Sequence, residues 1–320
     1  METTRPSNIL VTGGAGFVGT HLLTHLVREA VGLHIVSLDA QVPSRPLPGV
    51  AYHACDLTHR DETLCLIREI APTRVIHLAG LTTGNDPARY FAANVTAAQC
   101  LLDACGSLLA PPCVILVGSA AEYGGMEQGV HKVNEDRPLR GDTPYALTKR
   151  IQEELGLMYA RTCGIPVVFV RPFNICGPGQ ASSLVPAAFM EQALAVMQGR
   201  ANTIEVGNLA SSRDFVDVRD VARAIWSLAL IGDQVAEKAF NIASGNSIRI
   251  QDLLDQVIAL IDPNLTYRQD PSRLKQVDVS SIVGGIEQIN EATGWQPTYT
   301  IQQSLRDMWQ AILERERAKA

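Results

Sequence analysis

Missing from this 320-residue chain are a Cys-x-x-Cys pair, an uncharged apolar run of membrane-spanning length and any excess of positive charge. Without the first, the seven cysteines (Cys55, Cys65, Cys100, Cys105, Cys113, Cys163 and Cys176) read as reduced thiols packed like small hydrophobes. The nearest approach to a membrane span, Cys100–Gly118, is broken by Asp103 and by Pro111-Pro112. Met1–Ser7 is short and polar, with no apolar stretch of signal-peptide type behind it, so a cytoplasmic protein is expected. A formal net charge of −6 offers no basic field for nucleic acid. Arg315 and Arg317 alternate with Glu314 and Glu316 and read as a solvated helix end. None of this excludes a small phosphorylated ligand, which needs only a few local cations.

What is present is an ordinary globular composition, 46% hydrophobic and 19% charged. The length suggests one large α/β domain with a smaller companion. Apolar strand-like runs at Asn8–Thr12, Leu33–Leu38, Val50–Ala54, Arg74–Leu78, Val114–Val117 and Val167–Val170 alternate with helical patterns at Gly16–Ala30, Leu57–Ile70, Pro87–Leu109 and Thr143–Cys163. That alternation predicts a doubly wound parallel sheet covered on both faces, a Rossmann arrangement. After Pro172 the pattern loosens, with a loop at Gly177-Pro178-Gly179. The expected division is a dinucleotide-binding domain from 1–175 plus 214–245 and a substrate lobe from 176–213 plus 246–320. Val216–Ala243 should return to the first domain through a helix at Val221–Leu230 and a last strand at Ala239–Ala243.

Thr12-Gly13-Gly14-Ala15-Gly16-Phe17-Val18-Gly19 places glycines at 13, 16 and 19 between a strand and a helix. Gly13 can adopt backbone angles closed to other residues. Gly16 lets the main chain approach a pyrophosphate, and Gly19 lets helix and strand sit close. A glycine turn without a ligand is the competing reading. Against it stands Asp39, 20 residues beyond Gly19 at the end of the second strand, where a carboxylate meets the adenosine ribose. Asp39 favours NAD over NADP because it repels a 2′-phosphate, while nearby Arg45 keeps NADP open. His21 and His25 have metal-ligand spacing but enclose Leu22-Leu23-Thr24 and have no third ligand, so an ordinary helix face and no metal are expected.

Tyr145-Ala146-Leu147-Thr148-Lys149 puts a tyrosine and a lysine on one helix face. A nearby ammonium and the charge of a bound oxidised nicotinamide should lower the phenol pKa, suiting Tyr145 to acid–base work on a substrate oxygen. Alone, the pair would be an exposed surface contact. Its place after the fifth strand, with Ser119 at that strand's carboxyl end, favours a catalytic Ser119–Tyr145–Lys149 site.

Taken together, Thr12–Gly19, Asp56-Leu57, His77-Leu78-Ala79-Gly80, Ser119–Gly124, Tyr145–Lys149 and Arg171-Pro172-Phe173-Asn174 resemble the extended short-chain dehydrogenase/reductases over nearly the whole chain. The resemblance implies a nucleotide-sugar enzyme, with cofactor residues Gly13, Gly16, Phe17, Val18, Gly19, Asp39, Asp56, Leu57, Leu78, Ala79, Gly80, Asn94, Tyr145, Lys149 and Arg171. It also implies a homodimer packed through the helices near 87–109 and 143–163. Dehydratases of this kind carry an acidic pair where Ala120 and Ala121 stand, which removes that chemistry. Glu122 follows one position too late; its carboxylate meets either the loop backbone or the substrate. The run Gly118–Gly124, Arg171–Gln180, Val206–Leu209 and Arg213–Asp220 resembles GDP-4-keto-6-deoxymannose reductases. By that resemblance Ser119, Glu122, Asn174, Arg213, Lys275 and Asp278 would meet the substrate, Asn174 and Arg213 at its diphosphate. Arg213 beside Asp214 could instead be a surface ion pair. An Arg-Pro-x-Glu/Asp signature of the family is replaced here by Lys275-Gln276-Val277-Asp278, and Arg273 could substitute for its arginine. A 4-ketoreductase is expected, a 4-epimerase with tightly held NAD is the alternative, and a non-catalytic cofactor-binding sensor or scaffold is a third reading.

Overall fold

Seven apolar runs pair into one sheet: β1 (Asn8–Thr12), β2 (His34–Asp39), β3 (Val50–Ala54), β4 (Arg74–His77), β5 (Cys113–Val117), β6 (Val167–Pro172) and β7 (Ala239–Ile242). This computed structural model describes residues 8–30, 32–84, 86–125, 130–273 and 281–318. The strand order is 3-2-1-4-5-6-7 and every neighbouring pair is parallel. Parallel pairing needs a crossover on one face or the other, so both faces are covered, and β5 and β6 are buried along their whole length. The expected doubly wound Rossmann fold is therefore what the chain adopts.

On one face α1 (Phe17–Glu29) sets Leu22, Leu23 and Leu26 against a shared core with Val221, Ile225 and Leu228 of the helix Val218–Ile231. On the other, the helix Arg60–Ile70 gives Ile67, the helix Ala97–Gly106 gives Leu101 and Leu102, and the helix Pro144–Cys163 gives Tyr159. The last of these carries the Tyr-x-x-x-Lys motif, and its ends are set locally. Thr143 Oγ1 accepts from the Ala146 amide at 3.1 Å, Pro144 occupies the first turn, and Gly164 closes the helix in a left-handed conformation.

The single helix expected over Pro87–Leu109 is three pieces. An α-turn at Pro87–Tyr90 passes into a π-helical segment at Phe91–Thr96, and the α-helix Ala97–Gly106 follows. Widening the helix there is compensated by the fully buried Asn94. Its amide accepts from Leu81 N at 2.7 Å and donates to Leu81 O at 3.1 Å and Thr148 Oγ1 at 3.0 Å.

A separate apolar core joins Cys176, Phe189, Met190, Ile204, Leu254 and Met308, beyond the carboxyl ends of the strands. It is framed by the helices Val185–Met197, Ile250–Ile261 and Ile301–Arg317, with strands only two to three residues long between them. Not all of 246–320 belongs to it. Ile289 and Trp295, on and just after the helix Glu287–Thr293, pack into the core beside α1 instead. Trp295 Nε1 donates to Asp220 O at 3.1 Å, tying that segment to the start of Val218–Ile231. Among the described residues no helix is long and apolar enough to cross a membrane.

Candidate active site

The strand order reverses between β1 and β4, which opens a crevice beyond their carboxyl ends. Gly13 turns there with φ +74°, and a Cβ on it would fall 2.6 Å from the Ala79 amide nitrogen. Gly19 presses the helix onto the turn, where a Cβ would fall 2.2 Å from Gly13 O. Gly16 caps α1 without any side-chain acceptor, and no acidic residue sits in the first turn. Ala15 and Gly16 are exposed, so the positive end of the helix faces open space. The first amides of the helix itself have no intrahelical acceptor, and they are the donors a pyrophosphate needs. Asp39 Oδ2 accepts from the Ala15 amide at 3.0 Å and from Ser37 Oγ at 2.8 Å, fixing a carboxylate at the crevice edge. Burial raises its pKa, against the lowering effect of those bonds. Leu78 and Ala79 are half-buried and Gly80 exposed across the same crevice. The residues present thus fit a dinucleotide.

Other members of the expected cofactor set have more structural roles. Val18 packs into the core under β1, and Leu57 is buried behind β3. Asp56 turns back on its own chain, accepting from Thr58 N at 3.0 Å and Thr58 Oγ1 at 2.7 Å. The ring of Phe17 meets the edge of His21 at 5.8 Å, and His21 Nε2 lies 2.8 Å from Pro178 O, clamping α1 to the loop after β6. His21 is thereby engaged, and among the described residues no group of three or more His, Cys, Asp or Glu side chains gathers as for a metal. His77, which opens the His77-Leu78-Ala79-Gly80 motif, lies beneath the crevice. It is wholly buried, its Nδ1 lies 2.7 Å from Thr12 Oγ1 across the two strands, and burial first, then the Lys149 charge, lowers its pKa to about 3.

The expected catalytic residues do converge. Ser119 stands just beyond β5 and shares a hydrogen bond with Tyr145. Lys149 Nζ, one helical turn on, donates to Val117 O at 2.8 Å and to Gln152 Oε1 at 2.9 Å. Burial lowers the Lys149 pKa to about 8, with the Glu122 charge opposing it. The phenol pKa is high without the charge of a bound oxidised nicotinamide beside it. Burial pushes Tyr145 up to about 12, only partly offset by its bond to Ser119, because the ammonium is directed at Val117 and Gln152. At neutral pH Tyr145 holds its proton. Tyr90 lies beside it with ring centroids 6.1 Å apart, and a cavity of about 270 Å³ opens between Gly84, Pro87, Tyr90, Thr143, Pro144 and Tyr145.

Three expected contacts are corrected by burial. Arg171, placed with the cofactor residues, instead forms a buried ion pair with Glu153, its Nε donating to Oε2 at 3.1 Å. Its Nη1 also donates to Tyr123 Oη at 3.1 Å and Glu135 O at 3.0 Å. Asn94, placed in the same set, is spent on Leu81 and Thr148 as described, supporting the helix that carries Tyr145. Glu122, placed against the substrate, is 0% exposed and takes the loop-backbone alternative, accepting from the Ser119 amide at 2.6 Å.

On the substrate side, Asn174 is exposed and anchored by its Nδ2, which donates to Asp214 O at 2.9 Å. Arg213 is half-buried on the strand Ser212–Arg213, and its Nη1 donates to Ser212 O at 2.7 Å. Asp214 is no surface partner. It points inward to Ser244 N and Oγ at 2.8 and 2.6 Å, and to Gly245 N and Gly284 N at 3.1 Å each. Arg273 pairs with Asp270 at 3.3 Å and Glu205 at 3.6 Å. Lys275 and Asp278 lie outside the described residues.

A glycine-turn cofactor crevice and a Ser–Tyr–Lys cluster on a seven-stranded parallel sheet define a nicotinamide-dependent enzyme of the extended short-chain dehydrogenase/reductase type. The chain belongs to the NAD dependent epimerase/dehydratase family, whose model matches residues 9–243. It is 33% identical to GDP-6-deoxy-D-mannose reductase of Pseudomonas aeruginosa, over 96% of this chain and 99% of that protein. Among solved structures, RMD from Pseudomonas aeruginosa complexed with NADPH superposes with a TM-score of 0.81 at 32% identity, covering 97% of this chain and 99% of that one. UDP-glucose 4-epimerase of Thermus thermophilus in complex with NAD gives a TM-score of 0.83 at 26% identity, covering 96% and 99%. The activity is thus of the nucleotide-sugar reductase, epimerase or dehydratase type.

Proposed function

We propose that the chain reduces the C4 keto group of a nucleotide-linked 4-keto-6-deoxy sugar, with GDP-4-keto-6-deoxymannose, giving GDP-D-rhamnose, as the leading substrate. The observation that carries this reading is the state of the site around Tyr145. The phenol is held protonated and bonded to Ser119, while the next two positions, Ala120 and Ala121, hold no ionisable group. Such a site can give one proton to one oxygen; it has no acid–base pair for eliminating water from neighbouring carbons. Bound reduced nicotinamide supplies the hydride. Ser119 and Tyr145 would hold the C4 oxygen between two hydroxyls, and Tyr145 would pass its proton to that oxygen as charge develops on it. Lys149, buried next to Tyr145, would stabilise the phenolate left behind.

A 4-epimerase begins from the opposite state, because its tyrosine must first accept a proton from a substrate hydroxyl. The 33% identity to GDP-6-deoxy-D-mannose reductase over 96% of this chain, against 26% to the Thermus thermophilus UDP-glucose 4-epimerase, supports the reductase direction. Asp39, fixed at the end of β2 by Ala15 and Ser37, supports NADH over NADPH, since a 2′-phosphate beside it would face a carboxylate. Asn174 and Arg213 are the diphosphate donors of this reading, and a pair of chains joined through the helices near 87–109 and 143–163 is its assembly.

The test is the nicotinamide absorbance after mixing protein, NADH or NADPH, and GDP-4-keto-6-deoxymannose. Stoichiometric oxidation, faster with NADH, is the expected result. Retention of the reduced cofactor with interconversion of a UDP or GDP hexose at C4 would replace the reductase by the epimerase.

A further inference from the structure

Behind Ser119 lies an acid that the proposed reaction does not use. Glu122 belongs to a short 3₁₀ turn, Ala120–Tyr123, in which Ser119 Oγ accepts from the Ala121 amide at 3.1 Å and Glu122 Oε1 accepts from the Ser119 amide at 2.6 Å. The carboxyl fits against the backbone of Gly118, where a Cβ would stand 2.2 Å from Oε1. The main-chain oxygen of Glu122 accepts from Arg140 N at 2.8 Å and Gly141 N at 3.1 Å, so the turn is tied down at both ends.

The surrounding charges leave this acid without a counter-ion. Arg171, on β6, is taken by Glu153, Tyr123 and Glu135. Lys149, on the Pro144–Cys163 helix, is taken by Val117 and Gln152. Glu153, on that same helix, repels a negative charge at this position, and the neutral Tyr145 phenol beside it offers no cation. Tyr123, its neighbour in the turn, donates instead to Asn241 Oδ1 at 2.7 Å. Glu122 Oε2 is buried and meets no partner among the described residues. An ionised carboxylate with one hydrogen bond and no cation is an expensive group to bury, and the neutral acid far less so. Burial first, and Glu153 second, move its pKa upward, outweighing the Ser119 amide and the more distant pull of the Arg171 and Lys149 charges.

We propose that Glu122 is a positioning residue: a neutral carboxylic acid in the resting enzyme that fixes Ser119, and whose ionisation in alkaline solution resets the charge balance between Lys149 and Tyr145. A negative charge at Glu122 holds Lys149 as the ammonium and makes the Tyr145 phenolate harder to form. Proton delivery from Tyr145 then slows while sugar binding is untouched. The catalytic part of this assignment rests on the reductase reading; the ionisation part does not.

Two measurements separate them. Infrared difference spectra of the full chain against Glu122→Gln, without substrate, should show a carboxylic-acid carbonyl band. That band is present in the parent protein at mildly acidic and neutral pH, absent from the variant, and lost from the parent in alkaline solution. Lack of the band at neutral pH overturns the neutral-acid assignment. In turnover, Glu122→Gln keeps an acceptor for the Ser119 amide. It should move the alkaline limb of kcat upward by about one pH unit with KM for the sugar within about twofold, and Glu122→Asp should restore a titrating limb. Equal loss of kcat at every pH, with an unmoved limb, reduces Glu122 to a structural support and overturns the charge-balance role. If the band behaves as stated and no keto sugar is reduced, the reductase reading falls while the buried acid stands.

Discussion

The crevice over β1 and the region beyond the strand ends are built on opposite plans. At the crevice the structure is set mainly by main chain: a glycine turn at φ +74°, the uncapped start of α1, and one carboxylate held by an amide and a hydroxyl. In the distal region the strands are two to three residues long, and the polar groups of the proposed substrate site are side chains, Asn174 held by Asp214 from 40 positions away and Arg213 by its neighbour Ser212. A backbone site tolerates little added volume but makes few demands on residue type elsewhere. A side-chain site can change its ligand by substitution without disturbing the fold. The proposed catalytic cluster joins the two, with Ser119 just beyond a strand end and Tyr145 on a helix.

The sharpest way to probe that junction is Tyr145→Phe, which removes the proton donor and leaves the ring. A loss of about 10³-fold in kcat with intact cofactor binding is expected, read by nicotinamide absorbance and by fluorescence titration. Activity within tenfold of the parent would move the chemistry to another group.

Gly19→Ala tests the backbone plan directly. Its Cβ has no room 2.2 Å from Gly13 O, so helix and turn must part. The expected cost is about 3 kcal/mol in unfolding free energy, with cofactor affinity falling as well. A denaturation midpoint like that of the parent would show that the helix is free to shift.

In the distal region Arg213→Ala should leave the melting temperature nearly unchanged and raise KM for the nucleotide sugar about tenfold, with kcat affected less. If kcat and stability fall together, the arginine is a structural part and the contrast between the two plans weakens.

The smallest effect is a pH dependence of stability. The folded chain binds the Glu122 proton more tightly than the unfolded chain does, since its pKa is raised on folding. Stability linked to this group is therefore full below the ordinary Glu range and declines as pH rises towards the raised value. Glu122→Gln should match or trail the parent in acid and exceed it by about 1 kcal/mol in alkaline solution, measured by urea unfolding at several pH values. Parallel stability curves would remove the acid from the balance.

Strand positions, the glycine turn, Asp39 and the Ser119–Tyr145–Lys149 set were all legible in the linear sequence. Each is specified within a few residues: apolar runs ending in glycine, a Pro-led helix, a tyrosine and lysine one turn apart. What the linear sequence hides is pairing across distance. Arg171, expected among the cofactor residues, is paired with Glu153, 18 positions away. The helix over Pro87–Leu109 looked continuous until Asn94 was found bridging Leu81 and Thr148 through a π-helical segment. The helix Glu287–Thr293 was assigned to the distal lobe by its position in the chain, whereas Ile289 packs beside α1.

Periodicity and the spacing of a few glycines were enough to determine the sheet and the glycine turn at its crevice, because hydrogen-bonding geometry and side-chain period act over short stretches of chain; the kind of chemistry came from the family resemblance. Whether a charge is free or paired, and how deeply an acid is buried, was decided only in the tertiary structure. Burial and Coulomb interactions depend on neighbours that the chain brings together from far apart, as Glu122, Lys149 and Arg171 are brought together behind Ser119.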